Sequence, residues 1–215
     1  MNLNRHIEHT LLKQDASMSE FMHLFEEAKE YKFLGVCINP NYVALAKKEL
    51  AGSDVKIVTV VGFSLGANKP EVKAFETSLA INDGADEIDM VINVSELKEK
   101  HYDFVEQDIA TVKKACKNIP LKVILETDLL DKSEIEIACK LCIKAGADFV
   151  KTSTGFVKNG VGATVENVEL MYKTVSASGL LVKASGGIRD KETAIKMIEA
   201  GAERLGTSSG VKIVQ

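Results

Sequence analysis

The chain has 215 residues, 46% hydrophobic and 27% charged, with 15 Gly, 3 Pro and no Trp, a composition that suits an ordinary soluble globular core. Its 27 basic and 31 acidic residues are interspersed and leave a net charge of -4, so no basic stripe tracks a phosphate backbone and no polybasic cluster grips a membrane surface. Neither nucleic acid nor membrane is an expected partner. The polar start Asn2-Leu3-Asn4-Arg5-His6 is not a signal-peptide core, no apolar run approaches the ~18 residues of a membrane span, and a cytoplasmic location is expected. There, Cys37, Cys116, Cys139 and Cys142 do not read as a disulfide framework. Cys139 and Cys142 form a C-x-x-C pair, but no second pair or nearby His completes four zinc ligands, so they read as small apolar residues on a helix.

Taken in chain order, short apolar runs rich in β-branched residues alternate with longer amphipathic stretches. The expected strands are 9–12, 33–38, 55–61, 87–92, 122–126, 148–152, 181–184 and 204–207. About eight is the strand number that closes a parallel barrel with a filled interior. Between strands, Phe104, Val105, Ile109, Val112 and Cys116 recur at helical spacing and define one apolar face. Ser133-Glu134-Ile135-Glu136 reads as the capping box that starts another helix. Three helices are expected to end alike, in Asp83-Gly84-Ala85-Asp86, Ala145-Gly146-Ala147-Asp148 and Ala200-Gly201-Ala202-Glu203, with Gly in the left-handed position and a strand immediately beyond.

That repetition of the βα unit, with no linker to divide it, points to a single α/β domain over residues 1–215, a (β/α)8 TIM barrel. An open doubly wound sheet also alternates strands and helices, but neither G-x-G-x-x-G nor G-x-x-x-x-G-K-S/T occurs.

Barrel enzymes work at the C-terminal ends of their strands. Lone charged residues in apolar strands are therefore the candidates: Asp89, Glu126, Lys151 and Lys183. Lysine is among the residues least often buried, because desolvation disfavours its charged form. A single Lys can snorkel from a strand end to a carboxylate, but two at matching places on neighbouring strands are hard to explain as structure. Two close ammonium groups repel, which lowers the pKa of one, and a neutral amine is the species that attacks a carbonyl to form a Schiff base.

A second cluster is glycine and hydroxyl. Ser185-Gly186-Gly187-Ile188-Arg189 follows the seventh strand and Gly206-Thr207-Ser208-Ser209-Gly210 the eighth. Loops after strands seven and eight are the usual phosphate site of this barrel, and their free backbone N–H groups suit an anion. Thr152-Ser153-Thr154-Gly155 after the sixth strand completes the cradle. His23 and His101, in charged stretches, read as solvent-facing. His6 and His9 lack a third ligand nearby, so no metal site is expected.

Six blocks carry a resemblance that spans essentially the whole chain: His9-Thr10-Leu11-Leu12, residues 36–40, residues 84–93, Lys122-Val123-Ile124-Leu125-Glu126-Thr127, Phe149-Val150-Lys151-Thr152-Ser153-Thr154-Gly155-Phe156 and Val182-Lys183-Ala184-Ser185-Gly186-Gly187-Ile188-Arg189. Together they resemble the 2-deoxyribose-5-phosphate aldolase family, class I aldolases on a (β/α)8 barrel. The resemblance implies Lys151 as the Schiff-base lysine, Lys183 as the second lysine that perturbs it, and Asp89 as the acid/base carboxylate acting through a water. It implies Gly155, Gly186, Gly187, Ser208 and Ser209 around the phosphate, with Thr10 and Cys37 lining the pocket near the sugar.

The implied activity is reversible cleavage of 2-deoxy-D-ribose 5-phosphate to acetaldehyde and D-glyceraldehyde 3-phosphate, in deoxyribose phosphate catabolism, with no metal or organic cofactor. The expected partners are the phosphorylated sugar and the aldehydes. Oligomeric state is open, a homodimer being one option.

The chain departs from the family pattern in places. Glu8 stands where Asp is usual, Ser64 where Pro is common, and Asp128 where a small or apolar residue is frequent. It also stops at Gln215, without the tail that brings a terminal Tyr to the site in some members, so a slower or water-borne proton relay is expected. The rival readings are another phosphate-binding barrel enzyme, transaldolase-like or an isomerase, and a sugar-phosphate sensor without turnover. Both strand lysines together with Asp89 argue against the sensor.

Overall fold

The computed structural model describes residues 2–215. Eight parallel strands, β1 (Ile7–Leu11), β2 (Gly35–Ile38), β3 (Lys56–Val61), β4 (Glu87–Val91), β5 (Leu121–Ile124), β6 (Phe149–Lys151), β7 (Leu181–Ser185) and β8 (Ala202–Thr207), pair in chain order. The barrel closes where β1 meets β8, in the register Ile7↔Leu205, Glu8↔Gly206 and His9↔Thr207. Around it run α1 (Met18–Glu30), α2 (Val43–Glu49), α3 (Pro70–Asn82), α4 (Val94–Lys98), α5 (Tyr102–Cys116), α6 (Lys132–Lys144), α7 (Val165–Val175), α8 (Lys191–Glu199) and α9 (Gly210–Val214). No helix among the described residues is long and apolar enough to cross a membrane.

Because successive strand side chains point to opposite faces, Ile88 and Met90 join the apolar layer between sheet and helices, while Glu87 and Asp89 turn into the barrel. The expected strand positions hold, with shifted ends. β1 starts at Ile7, two residues before the expected start, and so places Glu8 inside the barrel. β5 ends at Ile124, and Glu126 leaves it in a left-handed turn with φ 62°.

The helices dock by the stripes their spacing encodes. In α5, Val105, Ile109, Val112 and Cys116 are buried, but Phe104, expected on the same face, is exposed, one position off the stripe. The capping box of α6 is built by Asp131 and Glu134 and not by Ser133. The chain is still extended at Asp131, so the first free helical N–H groups fall to its carboxylate. The three Gly-Ala-acid endings have Gly84, Gly146 and Gly201 at positive φ, as expected. Two of their three acids supply something further: Asp86 and Asp148 accept the N–H of Ile57 and Leu121 at 2.8 and 2.7 Å, which ties those two strand entries to the strand before each. Cys116, Cys139 and Cys142 are free thiols within the apolar layer, and burial pushes the thiols of Cys116 and Cys139 up to about 12.

Candidate active site

Strands β1, β4, β5, β6 and β7 each send a charged side chain to one point inside the barrel. Lys151 and Lys183 are register partners on β6 and β7, and both ammonium groups reach the same oxygen of Asp89, Oδ2, at 2.7 Å. The other Asp89 oxygen accepts Lys122 Nζ at 3.0 Å from β5. Glu8 pairs with Lys183 and stands 3.5 Å from Lys122, and Glu87 lies 2.6 Å from Lys122. Three lysines thus face three carboxylates, all essentially excluded from water.

Isolated charges in such a place would neutralise, because desolvation is costly. Here the mutual field reverses that outcome. Burial disfavours the Lys183 ammonium, but Asp89 and Glu8 outweigh it and raise its pKa. By the same balance Lys122 is raised to about 12, chiefly by Asp89 and Glu8. Burial alone would push the Asp89 carboxyl up, yet Lys122, Lys151 and Lys183 hold it well below the usual carboxylate range. Asp89 is therefore an anion and Lys183 a fixed cation near neutral pH. The Cys37 thiol beside them is pushed up by burial. The ligand atoms of Glu8, Cys37 and Asp89 lie within 4.8 Å of one another, but both carboxylates already pair with lysine ammonium groups.

Above this network opens a cavity of about 290 Å³ at the C-terminal end of the barrel. Lys151 is the one member of the network on its wall. Thr10, Thr154, Gly155, Gly186, Gly187 and Ser208 also line it. Asp89, Lys183 and Cys37 lie behind the wall, fully buried. Ser209 is set back as well, its N–H donating to Thr207 Oγ1 at 2.9 Å. The amine that faces the cavity is thus backed by an anion and a cation that the cavity does not reach directly.

Residues 5–215 match the family described as DeoC/LacD family aldolase. The chain belongs to the DeoC/LacD aldolase family. It is 56% identical over 214 residues to the deoxyribose-phosphate aldolase of Brevibacillus brevis, covering 100% of this chain and 96% of that one. It is 54% identical to the deoxyribose-phosphate aldolase of Finegoldia magna, covering 100% of both. Among solved structures, a putative deoxyribose-phosphate aldolase from Coccidioides immitis superposes with a TM-score of 0.96 at 48% identity, covering 99% of this chain and 84% of that one.

Within this aldolase-family barrel, Lys122, Glu8 and Glu87 complete the network around the three residues expected from the sequence, Asp89, Lys151 and Lys183. Lys122 carries the same signal as Lys151, a cation inside the apolar run Leu121-Lys122-Val123-Ile124, but it lies at the start of the expected strand 122–126 and away from the C-terminal strand ends where barrel enzymes work. Glu87 sits two residues before Asp89 and so shares its face. Glu8 had only its departure from the family pattern to mark it. Glu126 reaches out of the network, and its carboxylate accepts both the N–H, at 3.1 Å, and the hydroxyl of Thr154. His9 is buried against Glu27, at 2.8 Å, while His23 and His101 are exposed.

Proposed function

We propose that this family member is a deoxyribose-phosphate aldolase, reversibly cleaving 2-deoxy-D-ribose 5-phosphate to acetaldehyde and D-glyceraldehyde 3-phosphate. The observation that carries the reading is the single carboxylate oxygen shared by Lys151 and Lys183, with Lys151, and not Lys183, on the cavity wall. A buried cation paired on two sides is a poor nucleophile; a cavity-facing lysine is the one able to meet a carbonyl.

Once the Lys151 ammonium has passed a proton to water, its free amine attacks C1 of the open-chain sugar, and loss of water from the carbinolamine leaves an iminium ion. Removal of the C3 hydroxyl proton turns C3 into the aldehyde of glyceraldehyde 3-phosphate as the C2–C3 bond breaks. The bonding pair moves to the iminium, giving an enamine on Lys151. Protonation at C2 and hydrolysis release acetaldehyde and restore the amine. Asp89, ionised but walled off from the cavity, acts through a water on the C3 hydroxyl and on C2, and Lys183 holds that carboxylate in its charged form.

Gly155, Gly186, Gly187 and Ser208 line the part of the cavity assigned to the phosphate, while Thr10, whose hydroxyl donates to Glu8 O at 2.9 Å, faces the sugar. Ser209 and Cys37 serve from behind it. The reaction needs no metal or organic cofactor. The test is release of glyceraldehyde 3-phosphate from deoxyribose 5-phosphate with ribose 5-phosphate as control; no release, or equal release from both, overturns the reading.

A further inference from the structure

Between β6 and α7 the chain runs through residues 152–164 with no regular helix or strand, yet this loop forms part of the wall around Gly186 and Gly187. Such a segment needs partners for its backbone N–H groups. Asp128, in the loop after β5, provides them. Its Oδ1 accepts the N–H of Val161 at 2.9 Å and its Oδ2 the N–H of Gly162 at 2.9 Å. Gly160 is drawn in as well, since a Cβ there would lie 2.7 Å from Asp128 Oδ2.

The segment held in this way is packed directly on the glycine turn. Ala163 N–H donates to Gly186 O at 3.1 Å. Gly162 has φ 77°, and a Cβ on it would overlap the Gly186 backbone; a Cβ on Gly187 would lie 2.5 Å from Val161 O. Backbone therefore meets backbone with no compressible side chain between them, so a shift of 161–163 must move 186–187.

We propose that Asp128 is a positioning residue for the phosphate end of the cavity, setting Gly186 and Gly187 from a distance through the two amides it anchors. The proposal rests on the functional reading above for the identity of the anion, but not for the mechanical link. It gives a structural use to the residue that stands where the family pattern has a small or apolar one. Asp128 does not line the cavity itself.

The test compares wild type, Asp128→Ala and Asp128→Asn, the last keeping one acceptor oxygen. Amide hydrogen exchange at Val161 and Gly162 reads the anchor. Binding of inorganic phosphate, and KM and kcat for deoxyribose 5-phosphate and for unphosphorylated deoxyribose, read its consequence. Losing two bonds to a charged acceptor is expected to weaken phosphate binding and raise KM for the phosphorylated sugar on the order of tenfold. kcat and the rate with deoxyribose should stay near wild type, and Asp128→Asn should fall between.

Unchanged phosphate affinity despite lost amide protection would overturn the proposal, as would retained protection in Asp128→Ala or parallel losses with both sugars. If wild type binds phosphate but cleaves neither sugar, the functional reading fails, while the exchange and phosphate measurements still decide the role of Asp128.

Discussion

Lys122 stands opposite Asp89 in the β4–β5 ladder and places its ammonium 3.0 Å from Asp89 Oδ1, on the far side of the carboxylate from Lys151 and Lys183. It is also the partner of Glu87 and a neighbour of Glu8. Removing it leaves three buried carboxylates with two lysines. Lys122→Met is therefore expected to lower stability by about 3–5 kcal/mol, the usual penalty for breaking a buried ion pair from one side. Urea denaturation checks this, and a loss below about 1 kcal/mol would mean that the remaining charges rearrange.

Borohydride added with acetaldehyde is expected to fix a two-carbon secondary amine on Lys151, because an imine is reducible and an ammonium is not. Peptide mapping finds the site. An adduct chiefly on Lys183 would contradict its burial between Asp89 and Glu8.

Lys183→Met removes a cation from between two carboxylates, whereas Lys183→Arg keeps the charge but does not give up a proton. If the charge is what matters, the Arg variant retains substantially more activity at neutral pH than the Met variant. If proton transfer matters as well, both fall, by the ~10²–10⁴-fold typical of a general acid or base. Steady-state rates on both variants, with circular dichroism to establish folding, separate the cases; near-wild-type activity in Lys183→Met would remove Lys183 from the mechanism.

Negative charge at the phosphate end should discriminate between substrates. Ser208 is exposed on the cavity wall, so Ser208→Asp can be made without disturbing packing, unlike changes at Gly187, which is held at φ 76°. Use of deoxyribose 5-phosphate should fall at least tenfold through repulsion of the phosphate, while deoxyribose is turned over as before. Equal losses would assign Ser208 to the fold.

Acid should reach the network through Glu87. Burial would raise its pKa, but Lys122, helped by Lys56, lowers it from 4.5 to about 2. A carboxylate with a depressed folded pKa stabilises fully above its unfolded pKa and loses that contribution as pH falls through the folded one. Glu87→Gln should therefore be less stable than wild type at pH 7, and the two should converge as pH falls from about 4.5 toward about 2. Denaturation curves that stay parallel would show that Glu87 does not carry the acid sensitivity.

The barrel was legible because its signals are local. Alternating runs mark the strands, Gly-Ala-acid marks the exits of three helices, and a lysine in an apolar run marks itself. The pairing of Lys151 with Lys183 followed from equivalent positions on adjacent strands. Glu8 was not legible in the same way: its partner Lys183 lies 175 residues away, and only barrel closure brings them together. The cap of α6 illustrates a different limit, since Asp131 and Ser133 each precede a Glu by three residues. Only the point where the chain leaves its extended path selects between them. The family resemblance implies Ser209 at the phosphate, yet its N–H donates to the hydroxyl of Thr207, a local turn that the Gly/Ser pattern does not reveal.

The pairing of Glu8 with Lys183 also bears on how the protein comes into being. A chain synthesised only through β5 would hold Glu8, Glu87 and Asp89 against Lys122 alone, five of the eight strands with excess negative charge at their centre and two open sheet edges. Its remaining cations arrive on β6 and β7, and β8 then joins β1. Such long-range contacts favour slow, concerted assembly over stepwise growth. Lys151 and Lys183 are thus set among their carboxylate partners only when the ring is complete, so a chain that stops short of closure holds both lysines without those surroundings.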